Sequence, residues 1–209
     1  MLREINKDYV QRQFGLSTGV KAPFELTRHA VAIKQQGIDF AIRHYSHHAG
    51  HNLSLAEARA LTDAGIEIGV VWEMATHLNY FTRAQGCADG AAAYLMAQSV
   101  IGQPSGSAIY FAVGPEADEA GIAGPVARYF EGVNQAFSAA RPDERQYQVG
   151  VYGSSACCEW MMARGLATLG WVSLDQVAPA VLPVDDGQRI SVDLMERQHG
   201  QPAGFFWVL

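Results

Sequence analysis

The chain has 209 residues, 49% of them apolar, and a formal net charge of −6. That length suits a single α/β barrel or doubly wound sheet with a substantial core. The acidic balance and the lack of any Lys/Arg run exclude the basic stripe of a nucleic-acid binder and the polybasic patch of an anionic-membrane binder.

The first residues, MLREINKDYVQRQFG, mix charges of both signs and contain no apolar signal core, so no Sec signal is expected. No uninterrupted apolar run reaches the ~18 residues of a membrane span. The chain is expected to be made in the cytoplasm, with any export following a route independent of a cleaved signal.

The apolar run Phe14–Val20 predicts the first strand, and FELTRHAVAIKQQG predicts a helix stopped by Gly37. IDFAIRHYS predicts the second strand. LSLAEARALTDAG predicts a helix with Ser54 and Glu57 as a capping box and Gly65 as its stop. IEIGVVWEM follows as a strand, and NYFTRAQGCADGAAAYLMAQSVIG as a long Ala-rich helix. SAIYFAV is the fourth strand, before a helix within Gly124–Ala140. YQVGVYGS and SACCEWMMARGLA form the next strand and helix. The rhythm then changes: GWVSLD, AVLPVD and RISVDLM predict three strands on short connections.

Strands that are near-continuous apolar runs, alternating with helices, mark a parallel sheet buried on both faces. Eight strands, the first five each followed by a helix, predict a modified TIM barrel occupying residues 1–209 as one domain. An open doubly wound sheet is the alternative, disfavoured because GLSTG after the first strand is not a phosphate-binding glycine loop. Cys87, Cys157 and Cys158 form no CxxC pair and read as small buried hydrophobes.

In a parallel barrel the functional residues lie at the C-terminal ends of the strands. Those ends are expected at Ser17 and Thr18, at Arg43, His44 and Tyr45, at Trp72 and Glu73, and at Gly114 and Glu116. The remaining ends are expected at Tyr152 and Ser154, at Trp171, Ser173 and Asp175, at Asp185, and at Asp193. The set combines carboxylates (Glu73, Glu116, Asp175, Asp193) with rings (Tyr45, Trp72, Tyr152, Trp171) and one arginine. Rings stack on sugar faces, carboxylates bind hydroxyls, and paired carboxylates cleave glycosidic bonds. A phosphate site would place more Arg and Lys there.

Each residue also has a structural alternative. Glu73 is a candidate ion-pair partner of Arg43, Glu116 a helix N-terminal acid, Asp193 a rim residue, and Tyr152 and Trp171 ordinary core. The histidines of RHYSHHAGH (His44, His47, His48, His51) read as a solvated loop at the site mouth, with a zinc site as the lesser option. No metal or cofactor is expected. Ser154 and Ser155 lie at a strand-to-helix turn without an assigned His and Asp.

Together GIDFAIRHYS, NLSLAEARALTDAGIEIGVVWE, GQPSGSAIYFAV, YFEGVNQAF, YQVGVYGSSACCEWMMARGLA and GWVS resemble the glycoside-hydrolase-like family catalogued as domain of unknown function 1906. That family is a relative of the Chalaropsis-type lysozymes, glycoside hydrolase family 25. The resemblance implies five β/α units and three closing strands. It also implies an Asp-x-Glu motif ending strand four, an Asp ending strand one and an Asp on the last strand. Glu116 matches the general acid and Asp193 the last-strand Asp, while Arg43, Glu73 and Tyr152 match polar cleft positions. Gly114 and Ser17 stand where the other two aspartates are expected.

The expected function is action on a bacterial cell-wall glycan such as peptidoglycan. Glu116 and Asp193 would be catalytic, and Arg43, Tyr45, Glu73, Tyr152, Trp171 and Asp175 would bind substrate. The alternative is an inactive carbohydrate-binding or interaction module on the same barrel. The residues leave the oligomeric state open.

Overall fold

The computed structural model describes residues 16–75, 77–141, 143–173, 179–184 and 188–198. Five β/α units come first. They are β1 (Leu16–Lys21) with α1 (Ala30–Gln35), β2 (Phe40–Tyr45) with α2 (Leu55–Asp63), and β3 (Glu67–Trp72) with α3 (Arg83–Leu95). Then come β4 (Ala108–Ala112) with α4 (Ala127–Ser138) and β5 (Gln148–Gly153) with α5 (Ser155–Ala163). The strands β6 (Leu169–Val172), β7 (Ala180–Pro183) and β8 (Arg189–Gln198) follow. This is the modified TIM barrel read from the sequence. The helix stops also fall as read, with Gly37 at φ 80° and Gly65 at φ 73°, a left-handed conformation that costs glycine little.

The eight strands form one sheet in the order β6-β5-β4-β3-β2-β1-β8-β7. β1 to β6 are parallel, whereas β8 runs antiparallel to both β1 and β7. The parallel reading therefore holds for β1 to β6 and fails for the pairings of β8, where short connections permit antiparallel pairing. Among the described residues no ladder joins β6 to β7, so the sheet curls without closing.

The curl is visible in the packing. Strands β2 and β6 are four steps apart, about 19 Å in a flat sheet. Yet the Phe40 and Trp171 rings lie 5.3 Å apart between centroids. They belong to an inner cluster with Ile42, Val71, Ala108, Tyr110 and Met195. The larger outer cluster packs the opposite face of the same strands (Ala41, Tyr45, Val70, Trp72, Ile109, Phe111, Val151) against the helices. Period-two alternation thus sends each strand residue to either the barrel interior or the helix layer.

Helices α3 and α4 touch at backbone distance. A Cβ built on Gly132 would lie 2.1 Å from the Arg83 carbonyl oxygen. Neither helix can retreat without uncovering core. Gly132→Ala is therefore expected to destabilise the fold by about 1–3 kcal/mol despite alanine's better helix propensity. Urea denaturation measures this, and an unchanged midpoint would show that the helices separate freely.

Candidate functional site

A cleft of about 340 Å³ opens at the C-terminal ends of β1, β2 and β3, lined by Lys21, Pro23, His44, Ser46, His48, His51, Glu73 and Asp193. Its inner residues follow from the alternation. Phe40 and Ile42 face inward on β2, so His44 does too; Val71 faces inward on β3, so Glu73 follows. Met195 faces inward on β8, and Asp193 shares its face. Lys21 and Asp193 are direct partners across the antiparallel β1–β8 ladder.

Glu73 is the hub. Its Oε2 accepts from Lys21 Nζ at 2.9 Å and lies 3.0 Å from His44 Nε2. The hydrogen bond from His44, helped by the Lys21 ammonium, outweighs desolvation and holds the Glu73 carboxyl down at about 2. The carboxylate is therefore ionised throughout the physiological range. Lys21 Nζ also stands 5.1 Å from the centre of the Tyr152 ring. Burial raises the Tyr152 phenol, Lys21 opposes that shift, and the Glu73 and Asp193 charges add to it. These four residues share one electrostatic neighbourhood.

Lys21 is the site residue that the strand-end reading passed over. β1 runs four residues beyond Ser17, so its C-terminal end presents Lys21. Ser17 is buried low in the strand, opposite Arg197. A cation, and not a lost aspartate, occupies the end of strand one. Continuing the apolar run through Val20 into Ala22 would have located it. His44 is read both at the end of strand two and among the loop histidines, and it lies in β2.

Arg43 and Tyr45 lie on the other face of β2. Tyr45 is fully buried against the helices and donates its hydroxyl to Gln103 Oε1 at 2.9 Å. Arg43 does not pair with Glu73. Its Nε donates to Glu57 Oε1 at 2.7 Å, Nη1 to the Ala22 carbonyl at 2.5 Å and Nη2 to the His51 carbonyl at 3.4 Å. Both members of the ion pair are essentially without solvent exposure, at 1% and 0%. The capping box is accordingly half made. Ser54 Oγ accepts the Glu57 N–H at 3.1 Å, while the Glu57 carboxylate turns inward to Arg43 and to the Leu26 N–H at 2.7 Å. The pair anchors both loops that carry Lys21, Pro23 and His51 to the cleft.

Trp171 is a member of the inner core, 5.6 Å from Tyr110 between ring centroids, and lies outside the set that lines the cleft. Tyr152 is half-buried at the edge of that core. Glu116 is exposed in the turn after β4, outside the cleft lining and without a hydrogen bond or ion pair among the described residues. Gly114 is buried at the start of that turn. Asp175 and Asp185 lie outside the described residues.

The histidines do not act as one group. His44 binds Glu73, and His51 Nδ1 donates to the Pro23 carbonyl at 2.8 Å, joining the two cleft loops. His47 turns away, with its Nε2 3.4 Å from Oδ1 of the buried Asp89. Asp89 also accepts from the hydroxyls of Tyr80 (2.7 Å) and Tyr129 (2.8 Å) and from Gln85 Nε2 (2.8 Å). Among the described residues no three His, Cys, Asp or Glu side chains converge on a point that could hold a metal ion. Nor, among the described residues, is any helix long and apolar enough to cross a membrane. Ser154 caps α5 by accepting the Cys157 N–H at 3.3 Å. Burial pushes the Cys157 thiol up to about 12, which leaves it unreactive.

The fold is shared with solved proteins. The Tat-secreted protein Rv2525c of Mycobacterium tuberculosis, crystallised with L-tartrate, superposes with a TM-score of 0.69 at 17% identity, covering 90% of this chain and 98% of that one. An uncharacterised B. stearothermophilus protein matches with a TM-score of 0.58 at 12% identity, covering 91% and 99%. Two uncharacterised Bacillus subtilis (strain 168) proteins are similar in sequence. YbfG is 28% identical over 120 residues (56% of this chain) and FadG 26% identical over 149 residues (69%). The chain matches only 16% and 25% of the lengths of these two relatives. The model of the Rv2525c-like, glycoside hydrolase-like domain matches residues 31–189, which span the strands β2 to β7 and the helices between them. The chain therefore belongs to the Rv2525c-like, glycoside hydrolase-like domain family.

Proposed function

We propose that this barrel binds a glycan, with a bacterial cell-wall polymer of the peptidoglycan type as its ligand, and that it does so without lysozyme-type acid catalysis in the cleft. The state of Glu73 carries this reading. A general acid needs a carboxyl that keeps its proton near neutral pH, and an apolar wall normally achieves that by raising its pKa. Glu73 is driven the opposite way, to about 2, by His44 and Lys21. An ionised, fixed carboxylate beside a tyrosine ring is well made for accepting hydrogen bonds from sugar hydroxyls and poorly made for donating a proton. The Tat secretion of Rv2525c supports a ligand met outside the cytoplasm.

Hydrolysis with Glu116 as general acid and Asp193 as its partner is the second reading. It is favoured by the position of Glu116 directly after β4, at the end of the sheet where the cleft opens. One experiment separates the two. Purified wild type and Glu116→Gln are incubated with insoluble peptidoglycan, and both sedimented protein and released reducing ends are measured. The binding reading expects both proteins to sediment with the polymer and neither to release reducing ends. Release by the wild type that disappears in Glu116→Gln would establish the hydrolytic reading instead.

A further inference from the structure

The charges lining the cleft do not balance. Among the described residues Lys21 is its only lysine or arginine, against the two carboxylates Glu73 and Asp193. Lys21 is committed to Glu73 at 2.9 Å. Asp193 makes no hydrogen bond or ion pair among the described residues, although it lines the same cleft and stands opposite Lys21 in the ladder. The Tyr152 hydroxyl, whose phenol feels both carboxylate charges, likewise has no hydrogen-bond partner among the described residues. One negative charge and one phenol therefore stand without a donor, the ring of that phenol lying beside the Lys21 ammonium at the cleft edge.

We infer that the cleft selects a hexosamine whose amino group is free, its ammonium seated against Asp193 and its ring against Tyr152. The inference rests on the glycan reading above and narrows it to a polymer in which some amino sugars lack their N-acetyl group. A free ammonium supplies the charge that the cleft lacks and gives Asp193 a charge-assisted hydrogen bond. N-acetylation removes that charge and adds an apolar methyl next to a carboxylate. A uronic acid would bring a third carboxylate to the two already present, and like charges across an interface are costly. His44, His48 and His51 complete the wall with ring nitrogens suited to neutral hydroxyls.

The test is calorimetric titration of the whole chain, at mildly acidic pH where the amines of the glucosamine oligomer are protonated, with three probes: the β-1,4-linked glucosamine tetramer, its fully N-acetylated form, and a tetragalacturonate. The glucosamine tetramer is expected to bind about tenfold tighter than the acetylated one, the size of one charge-assisted hydrogen bond. Its affinity should fall with added salt while that of the acetylated form stays flat. Asp193→Asn should bring the two affinities together by weakening the glucosamine tetramer. Equal or tighter binding of the acetylated tetramer, or preference for the galacturonate, would overturn the inference and leave the glycan reading standing. Failure of the wild type to bind any of the three would overturn both. The salt series on the wild type is decisive even where Asp193→Asn folds poorly.

Discussion

Arg43→Ala is expected to cost about 3–5 kcal/mol of folding stability, a large part of what a domain of this size has in total. The reason is the charge left behind. Glu57 is fully buried, and Arg43 is its cationic partner at 2.7 Å. With Arg43 gone, Glu57 must either keep an uncompensated charge in the core or take up a proton at a cost. The Ala22 and His51 carbonyls lose their donors at the same time. Arg43→Lys should recover only part of the loss, because one ammonium cannot reproduce the planar fork that reaches Glu57, Ala22 and His51 together. Guanidinium denaturation of the three proteins measures this. A midpoint for Arg43→Ala within error of the wild type would mean that the pair contributes nothing to stability. Arg43 was expected to bind substrate. Its position assigns it instead to holding the loops that carry Lys21, Pro23 and His51.

Glu73→Ala is expected to weaken glycan binding by about 2 kcal/mol or more, roughly thirtyfold, since truncating one member of a hydrogen-bonded charge pair strands its partners. Lys21 and His44 both lose their acceptor, and the net charge lining the cleft shifts by one unit. Glu73→Gln keeps the shape and lets the pH dependence be read. The folded-state carboxyl lies at about 2, below its ordinary 4.5, so its stabilising contribution is fully present above pH 4.5 and is lost as pH falls toward 2. The stability difference between wild type and Glu73→Gln should therefore shrink across that window. A difference that stays constant from pH 4.5 down to 2 would show that Glu73 is not held ionised by its neighbours.

Much of the architecture was legible along the chain because its signals are local. Ser54 before an apolar-periodic run starts α2, Gly65 stops it, and the alternation of apolar runs with amphipathic segments marks five β/α units. The late change of rhythm marks three strands without helices. Glu73 and Tyr152 were legible as residues at strand ends, whereas Asp193, expected at the end of the last strand, lies within β8 and reaches the cleft by pairing with Lys21 across the antiparallel ladder.

Which side of each strand faces the cleft was decided only by the tertiary structure. β2 is buried on both faces, so its apolar pattern carries no alternation, and nothing local separates Arg43 and Tyr45 from His44. A parallel strand covered by helices outside and by barrel core inside must be apolar throughout. Its polar residues are sorted by contacts far away in sequence. Arg43 goes outward because Glu57, fourteen residues on, waits in the helix layer. Lys21 goes inward because β8, from the far end of the chain, sets Asp193 across from it. The sequence by itself determined the order and number of strands and helices, since capping, glycine stops and apolar period act within a few residues. The curl of the sheet determined which carboxylate meets which cation, because that pairing exists only once β1, β2, β3 and β8 lie side by side.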